Sequence, residues 1–137
     1  PAAAAFIVKD KLGKIIFQQG QPLGIATNNV AEYSAVVLAL KWLTKNITTL
    51  NSFTLSAVEG QLSTINFFLD SQLLVNQLSG RFKVKHQVLK QKFIQAKQLE
   101  EDLLKTKLIT AINYIYIPRS LNQTTDSLVN QTLDQVV

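Results

Sequence analysis

The order of apolar and polar positions divides the first third of the chain into a hairpin and a helix. Residues 2–8 are small and apolar, as in a strand, and the turn-forming residues 10–13 (DKLG) separate them from a second strand at 14–19. The two strands are predicted to pair antiparallel. After a polar connection at 20–28, residues 30–43 are apolar on nearly every side, which predicts a helix packed between other elements.

The rest of the chain is predicted to alternate strands and helices. The pattern indicates a strand, a short helix, a long helix and a further strand at residues 65–69, 71–78, 87–105 and 109–117. The first of these strands is a continuous apolar run, as in strands buried on both faces. Leu128, Val129, Leu133 and Val136 fall on one face of a terminal helix that Asp126 opens.

Residues 45–64 interrupt this regularity. They mix Asn, Thr, Ser and Gly with isolated apolar residues, so we predict an insertion or extended loop. The order hairpin, helix, strand, helices, strand, helix indicates an α/β fold in which helices flank a mixed sheet with an antiparallel edge. With 137 residues, 47% of them hydrophobic, we expect a single domain spanning 1–137.

Composition narrows the chemistry. No apolar run approaches the roughly 20 residues needed to span a bilayer, and the start of the chain lacks a basic secretory flank, so we expect a cytoplasmic protein without membrane contact. The absence of cysteine and the single histidine mean that any metal is held by oxygen ligands.

Positive charge is concentrated in one stretch of the chain. The formal net charge is +5, and residues 81–92 carry five basic and no acidic side chains. Such a cluster is typical of a surface that binds polyanions, because each neutralised phosphate releases counterions. The alternative is an ordinary solvated helix face.

Three of the nine acidic residues border predicted core elements. Glu32 lies in the first turn of the apolar helix, Asp70 follows a buried strand, and Asp126 opens the last helix. Ligands of open α/β sheets bind outside the carboxyl ends of strands, where acids that gather need a hard cation such as Mg²⁺. Each acid also has a structural explanation. Asn29 and Glu32 can form a capping box, and Asp70 can cap the helix that begins at Ser71. Asp126 suits the dipole of the last helix.

The sequence around these acids resembles the ribonuclease H family, in its type 1 archaeal and bacterial reverse-transcriptase-like subgroup. TNNVAEY, ahead of the apolar AVVLALKWL, resembles the first helix motif of that family and contains Glu32. FFLDSQLLVNQLSGRFKVK resembles the second signature and places Asp70 on its metal-binding aspartate. IPRSLNQTTDSLVNQTLD resembles the third block and places Asp126 on its last catalytic acid. The opening PAAAAFIVKDKLGKIIFQQG resembles the second and third strands, so the likeness covers almost the whole chain.

One part of the family pattern has no counterpart. The first strand of the family carries a D-G-x-S or D-G-x-A segment whose aspartate bridges both metals, and Asp10 is no substitute because it lies in the hairpin turn. We therefore expect a ribonuclease H-like, mixed five-stranded sheet flanked by helices, with its first strand missing from a chain truncated before that aspartate.

The resemblance implies an endonuclease that hydrolyses the RNA strand of RNA/DNA hybrids without regard to sequence, leaving 5'-phosphates. Two Mg²⁺ or Mn²⁺ ions about 4 Å apart would orient the attacking water and stabilise the leaving oxygen. Glu32, Asp70 and Asp126 would be both catalytic residues and metal ligands. Arg119 is expected to contact the scissile phosphate or to assist product departure.

The resemblance also implies a nucleic-acid surface. Its expected members lie at the start of the first helix, after Asp70 and in the basic stretch: Asn28, Asn29, Ser71, Arg81, Lys83 and Lys85. The expected partner is an RNA/DNA hybrid and the expected state is a monomer.

Three alternatives stay open at this point. A catalytically inactive module of the same fold would bind nucleic acid without cutting it. The same domain could belong to a larger, reverse-transcriptase-like protein. A protein-interaction scaffold would use the basic stretch and the amphipathic helices without any nucleic acid.

Overall fold

The computed structural model describes residues 2–10, 12–55 and 64–122, with the backbone alone for 51–55. In chain order the described elements are β1 (Ala2–Lys9), β2 (Ile15–Gly24), α1 (Asn28–Leu55), β3 (Thr64–Leu69), α2 (Gln72–Leu78), α3 (Gln87–Lys105), β4 (Ala111–Tyr116) and a 3-10 turn at Arg119–Asn122. The predicted terminal helix and its Asp126 lie outside these residues.

The first two strands form the predicted antiparallel hairpin. At its turn, the Asp10 carboxylate accepts two backbone N–H groups at 2.9 Å, and Gly13 adopts a left-handed φ of 84° that suits glycine. Strand β2 continues past its predicted end to Gly24, because β1 is long enough for Ala2 to lie opposite that residue. The polar composition of 20–24 is therefore that of a strand and not of a loop.

Helix α1 runs to Leu55, so the prediction of a loop is wrong for residues 45–55. Ile47 is only 3% exposed and continues the buried face of the helix. Asn46 donates from its side-chain amide to the carbonyl of Trp42 at 2.8 Å, which satisfies the polar group without breaking the helix. Tertiary packing thus outweighs the loop-like composition of this stretch. An insertion relative to other members of the resembled family stays a prediction.

Strands β3 and β4 pair in parallel, from Thr64 opposite Ala111 to Leu69 opposite Tyr116. The described strands therefore form two pairs, and no hydrogen bond joins one pair to the other among them. The prediction that β3 is buried on both faces is wrong: its exposure alternates, and Phe68 is 54% exposed. The reason is that only one face of β3 packs against the core of the described part.

The core lies between the helices and the parallel strand pair. Helix α1 packs against α3 and β1, and α2 packs against β3 and β4. The bounds of α3 are those predicted from its apolar stripe. The largest fully buried side chains come from the three helices and the approach to β4: Tyr33, Val36, Leu40, Leu74, Leu78, Leu103 and Ile109.

An aromatic contact joins the hairpin to this core. The ring of Phe17 on β2 stacks on Trp42 of α1, with centroids 4.6 Å apart and planes inclined by 14°. Trp42 is thus a packing residue. Among the described helices, none combines the length and apolar character needed to cross a membrane.

Candidate active site

Glu32 lies one turn inside α1 and is not part of its cap. The hydroxyl of Thr27 accepts the N–H of Val30 at 3.2 Å, and the carbonyl of Thr27 accepts the N–H of Ala31 at 3.0 Å. Thr27 therefore caps the helix, and the expected capping box of Asn29 and Glu32 does not form. The structural explanation of Glu32 is lost, and its half-buried carboxylate needs another one.

Asp70 follows β3 directly and is almost fully enclosed, with a side chain only 7% exposed. It does not cap α2, since the N–H of Leu74 donates to Ser71 Oγ at 3.3 Å. Instead, Asp70 Oδ2 accepts from the Asn122 amide at 3.2 Å and lies 3.7 Å from Arg119 Nε. One oxygen of Asp70 is therefore oriented by the turn that follows β4.

The parallel pairing of β3 and β4 explains this meeting. Parallel strands end at the same edge of a sheet, so the residues after β3 and after β4 become neighbours. The N–H of Ile117 donates to the carbonyl of Leu69 at 2.9 Å and carries the pairing to the last residue before Asp70. The 3-10 turn begins two residues later, within reach of the carboxylate.

Glu32 and Asp70 interact electrostatically across this edge. Burial and the neighbouring charge of Asp70 raise the pKa of Glu32 above its ordinary value, while hydrogen bonding from Ser71 and the charge of Arg119 lower it less. Two close carboxylates, one of them desolvated, favour a proton or a cation between them. The donor set is all oxygen and suits a hard divalent cation.

The structure thus brings four of the predicted site residues together: Glu32, Asp70, Ser71 and Arg119. Asp126 lies outside the described residues. Within residues 2–10, 12–55 and 64–122, no group of three or more His, Cys, Asp or Glu side chains gathers in one place. A metal centre on the described residues would therefore rest on Glu32 and Asp70.

A buried hydrogen bond joins the helix that carries Glu32 to the helix that follows Asp70. Tyr33, next to Glu32, donates from its hydroxyl to Gln77 Oε1 on α2 at 2.6 Å. Tyr33 is fully buried and Gln77 is 6% exposed. The bond ties α1 to the helix that follows Asp70.

The other predicted residues lie at two places on the surface. Asn28 is exposed and Asn29 half-buried at the start of α1. Arg81, Lys83 and Lys85 are exposed in the segment between α2 and α3. An apolar groove of about 370 Å³ runs beside that segment, and Phe82 and Ile94 contribute to its lining.

Sequence reasoning missed Asn122 as a partner of Asp70. Its position in the IPRSLNQTTD stretch, four residues before Asp126, could have marked it as a candidate site residue. The contact with Asp70 is visible only in the structure. Arg119 was expected to meet phosphate, and in the structure it pairs with Asp70 while 74% of its side chain stays exposed.

Comparison with known proteins gives a consistent picture. No family profile matches the chain. A bifunctional protein of Mycobacterium tuberculosis is 34% identical over 120 residues, which are 88% of this chain and 28% of that protein. Ribonuclease HI of Halobacterium salinarum is 28% identical over 137 residues, or 98% of this chain and 57% of that protein. The chain thus spans about a quarter to a little over half the length of these relatives.

Solved structures extend the likeness to the fold. The N-terminal RNase H domain of the mycobacterial protein has a TM-score of 0.71 at 28% identity, covering 98% of this chain and 91% of that one. RNase H1 of H. salinarum has a TM-score of 0.73 at 27% identity, covering 97% and 86%. LC11-RNase H1, isolated from compost and solved in complex with an RNA/DNA hybrid, has a TM-score of 0.75 at 26% identity, covering 98% and 86%.

Proposed function

Because this chain belongs to the ribonuclease H family across nearly its whole length, we propose that it is an endonuclease hydrolysing the RNA strand of RNA/DNA hybrids. The observation that carries the proposal is the meeting of Glu32 and Asp70 at the carboxyl edge of β3 and β4, with Asp70 held by Asn122 and Arg119. Neither the half-buried Glu32 nor the enclosed Asp70 caps a helix, so we assign the pair a chemical role.

Divalent cations would be held by Glu32 and Asp70, together with Asp126. We propose two ions, Mg²⁺ or Mn²⁺, which when bound activate water and neutralise charge on the leaving oxygen. Asn122 keeps Asp70 Oδ2 in place, so the carboxylate is oriented before any ligand arrives. Glu32 must be ionised to act as a ligand, and its raised pKa makes that step sensitive to acid.

Arg119 is suited to leave its present partner for a phosphate. Its contact with Asp70 is long, at 3.7 Å, and its side chain is largely exposed, so the ion pair contributes little. A guanidinium binds phosphate with two parallel hydrogen bonds. We therefore assign Arg119 to the scissile phosphate or to product departure.

The hybrid would lie across the start of α1 and the segment after α2. Ser71 hydrogen-bonds to Glu32, and Asn28 and Asn29 lie at the start of the helix that carries Glu32. We propose that their hydroxyl and amide groups meet the RNA strand. Arg81, Lys83 and Lys85 would bind the DNA backbone, which supplies affinity without sequence preference. The cytoplasmic location, the monomeric state and the single domain over 1–137 stay predictions.

A domain of a larger protein is compatible with the same activity, since the chain matches 28% of a bifunctional relative. The test is cleavage of labelled RNA/DNA hybrid, duplex DNA and duplex RNA by the full-length protein, in Mg²⁺ and in EDTA. Asp70→Asn is compared with Glu101→Gln, a matched change at an exposed acid on α3. We expect cleavage of the hybrid's RNA strand alone, lost in EDTA and in Asp70→Asn but kept in Glu101→Gln.

Three results would contradict the proposal. Salt-sensitive binding of the hybrid without any cleavage would leave an inactive binding module. Cleavage that survives Asp70→Asn would move the reaction away from the acid pair. Hybrid binding that ignores salt would favour a protein-interaction scaffold.

A further inference from the structure

Helix α2 lies in the chain between the acid pair and the basic residues that follow it. It begins after Ser71 and ends at Leu78, and the basic segment, defined here as residues 81–85, follows almost at once. The last carbonyls of any helix lack partners inside the helix. In this protein one of them, Leu78 O, accepts from Lys97 Nζ on α3 at 2.5 Å. A side chain from another helix therefore fixes the end of α2.

Lys97 is itself fixed from several sides. Its ammonium lies 3.3 and 3.2 Å from the two carboxylate oxygens of Glu100, whose side chain is 13% exposed. Glu100 in turn accepts from the Tyr114 hydroxyl on β4 at 2.5 Å. The ammonium also lies 5.5 Å from the ring centroid of Phe93 and 5.6 Å from that of Tyr114. The position of Lys97 is set by α3 and β4 together.

The ammonium of Lys97 already has acceptor partners within the protein, although 35% of the side chain is exposed. A protonated lysine carries three N–H donors, and three acceptor oxygens lie within 3.3 Å of Lys97 Nζ. The carboxylate of Glu100 also offsets its charge. Lys97 therefore differs from the lysines of the basic segment, which are exposed.

The basic segment takes its position from the end that Lys97 holds. The backbone N–H groups of Arg81 and Phe82 donate to the carbonyl of Asn76 at 2.8 and 3.1 Å. The guanidinium of Arg81 donates to the Asn76 side chain at 3.0 Å. Arg81 is thus bound to the last turn of α2 by its backbone and its side chain. Its partner, Asn76, lies two residues before Leu78, whose carbonyl accepts from Lys97.

We propose that Lys97 is a positioning residue for nucleic-acid binding: by holding the end of α2 it fixes where the basic segment presents its cations. The inference rests on the proposed binding of a hybrid to that segment. It assigns Lys97 no contact with phosphate. Its loss should weaken binding without removing an ion contact, whereas loss of Lys83 should remove one.

Salt dependence separates these two roles. The affinity for a labelled hybrid is measured by fluorescence anisotropy between about 50 and 200 mM KCl, without divalent cation so that the hybrid stays intact. Lys97→Met keeps an unbranched aliphatic side chain of similar length and removes the ammonium. Lys83→Met removes a predicted phosphate contact, and Lys105→Met is the matched change at an exposed lysine on the same helix as Lys97.

We expect Lys97→Met to weaken binding by roughly two- to thirtyfold at every salt concentration, the range for residues that act through packed neighbours. The slope of log affinity against log salt should stay that of the wild type. Lys83→Met should reduce the slope by about 0.9, and Lys105→Met should change neither quantity. Lys97→Arg retains donors for Leu78 and Glu100 and should recover most of the affinity.

All variants are measured at a temperature at which circular dichroism shows them folded. Wild-type affinity in Lys97→Met overturns the inference, and so does a reduced slope in that variant, which would mean direct contact with phosphate. An unchanged affinity and slope in Lys83→Met would instead contradict the proposed function, because it would mean that the basic segment does not bind the hybrid.

Discussion

Replacing Tyr33 by phenylalanine should destabilise the protein through one hydrogen bond. The change removes the hydroxyl that donates to Gln77 Oε1 at 2.6 Å and leaves the ring in place. Because Tyr33 is fully buried and Gln77 is 6% exposed, water has little access to the amide oxygen that loses its partner. An unsatisfied buried polar group costs about 1–3 kcal/mol. For a chain of this length that corresponds to a fall in Tm of about 4–12 °C.

Thermal and urea unfolding followed by circular dichroism measure this cost. Tyr116→Phe is the matched control, since Tyr116 is 43% exposed and its change should stay within about 0.5 kcal/mol. In the double variant Tyr33→Phe with Gln77→Met, both partners are gone, so the loss should be smaller than the sum of the two single losses. A Tyr33→Phe protein as stable as Tyr116→Phe, or strict additivity in the double variant, would refute this reasoning.

Two further predictions concern the acid pair and the length of α1. The raised pKa of Glu32 means that the folded state binds this proton more tightly than the unfolded state, so without metal the stability falls as pH rises from the ordinary value of 4.5 through the raised one. Glu32→Gln should therefore raise Tm in EDTA at neutral pH, with a difference that vanishes in acid, while abolishing cleavage; an equal Tm at all pH values would contradict the electrostatic account. Ile47→Ala should lower stability by about 2–5 kcal/mol in urea unfolding, because Ile47 is 3% exposed in the continued helix. A loss below about 0.5 kcal/mol, typical of surface changes, would mean that this stretch is not packed.

Local sequence patterns were sufficient to predict elements whose structure depends on residues close together in the chain. The apolar stripe of α3 and the turn residues of the hairpin are such patterns. Helix α3 has its predicted bounds, and the hairpin pairs antiparallel about its predicted turn, although β2 runs on to Gly24. The place of Asp70 at the end of a strand also followed from a short apolar run bounded by a polar residue. Each of these features depends on neighbours within a few positions along the chain.

Features that depend on distant residues were not predictable in the same way. The continuation of α1 depends on packing of Ile47, which outweighs the Asn and Thr residues around it. The cap of α1 falls on Thr27 although Asn29 is of a residue type that caps helices more often, so residue type alone could not identify the cap. The bond between Asn122 and Asp70 spans 52 positions and exists only because β3 and β4 are parallel neighbours.

The stack of Phe17 on Trp42 gives the protein an intrinsic fluorescence probe at one defined contact. Trp42 is the only tryptophan in the sequence, and its indole lies where the hairpin meets α1. Its emission therefore describes one junction and not an average over the fold. If the hairpin detaches before the helical core opens, the fluorescence transition will precede the loss of helical ellipticity, and unfolding will be visible as two separable events.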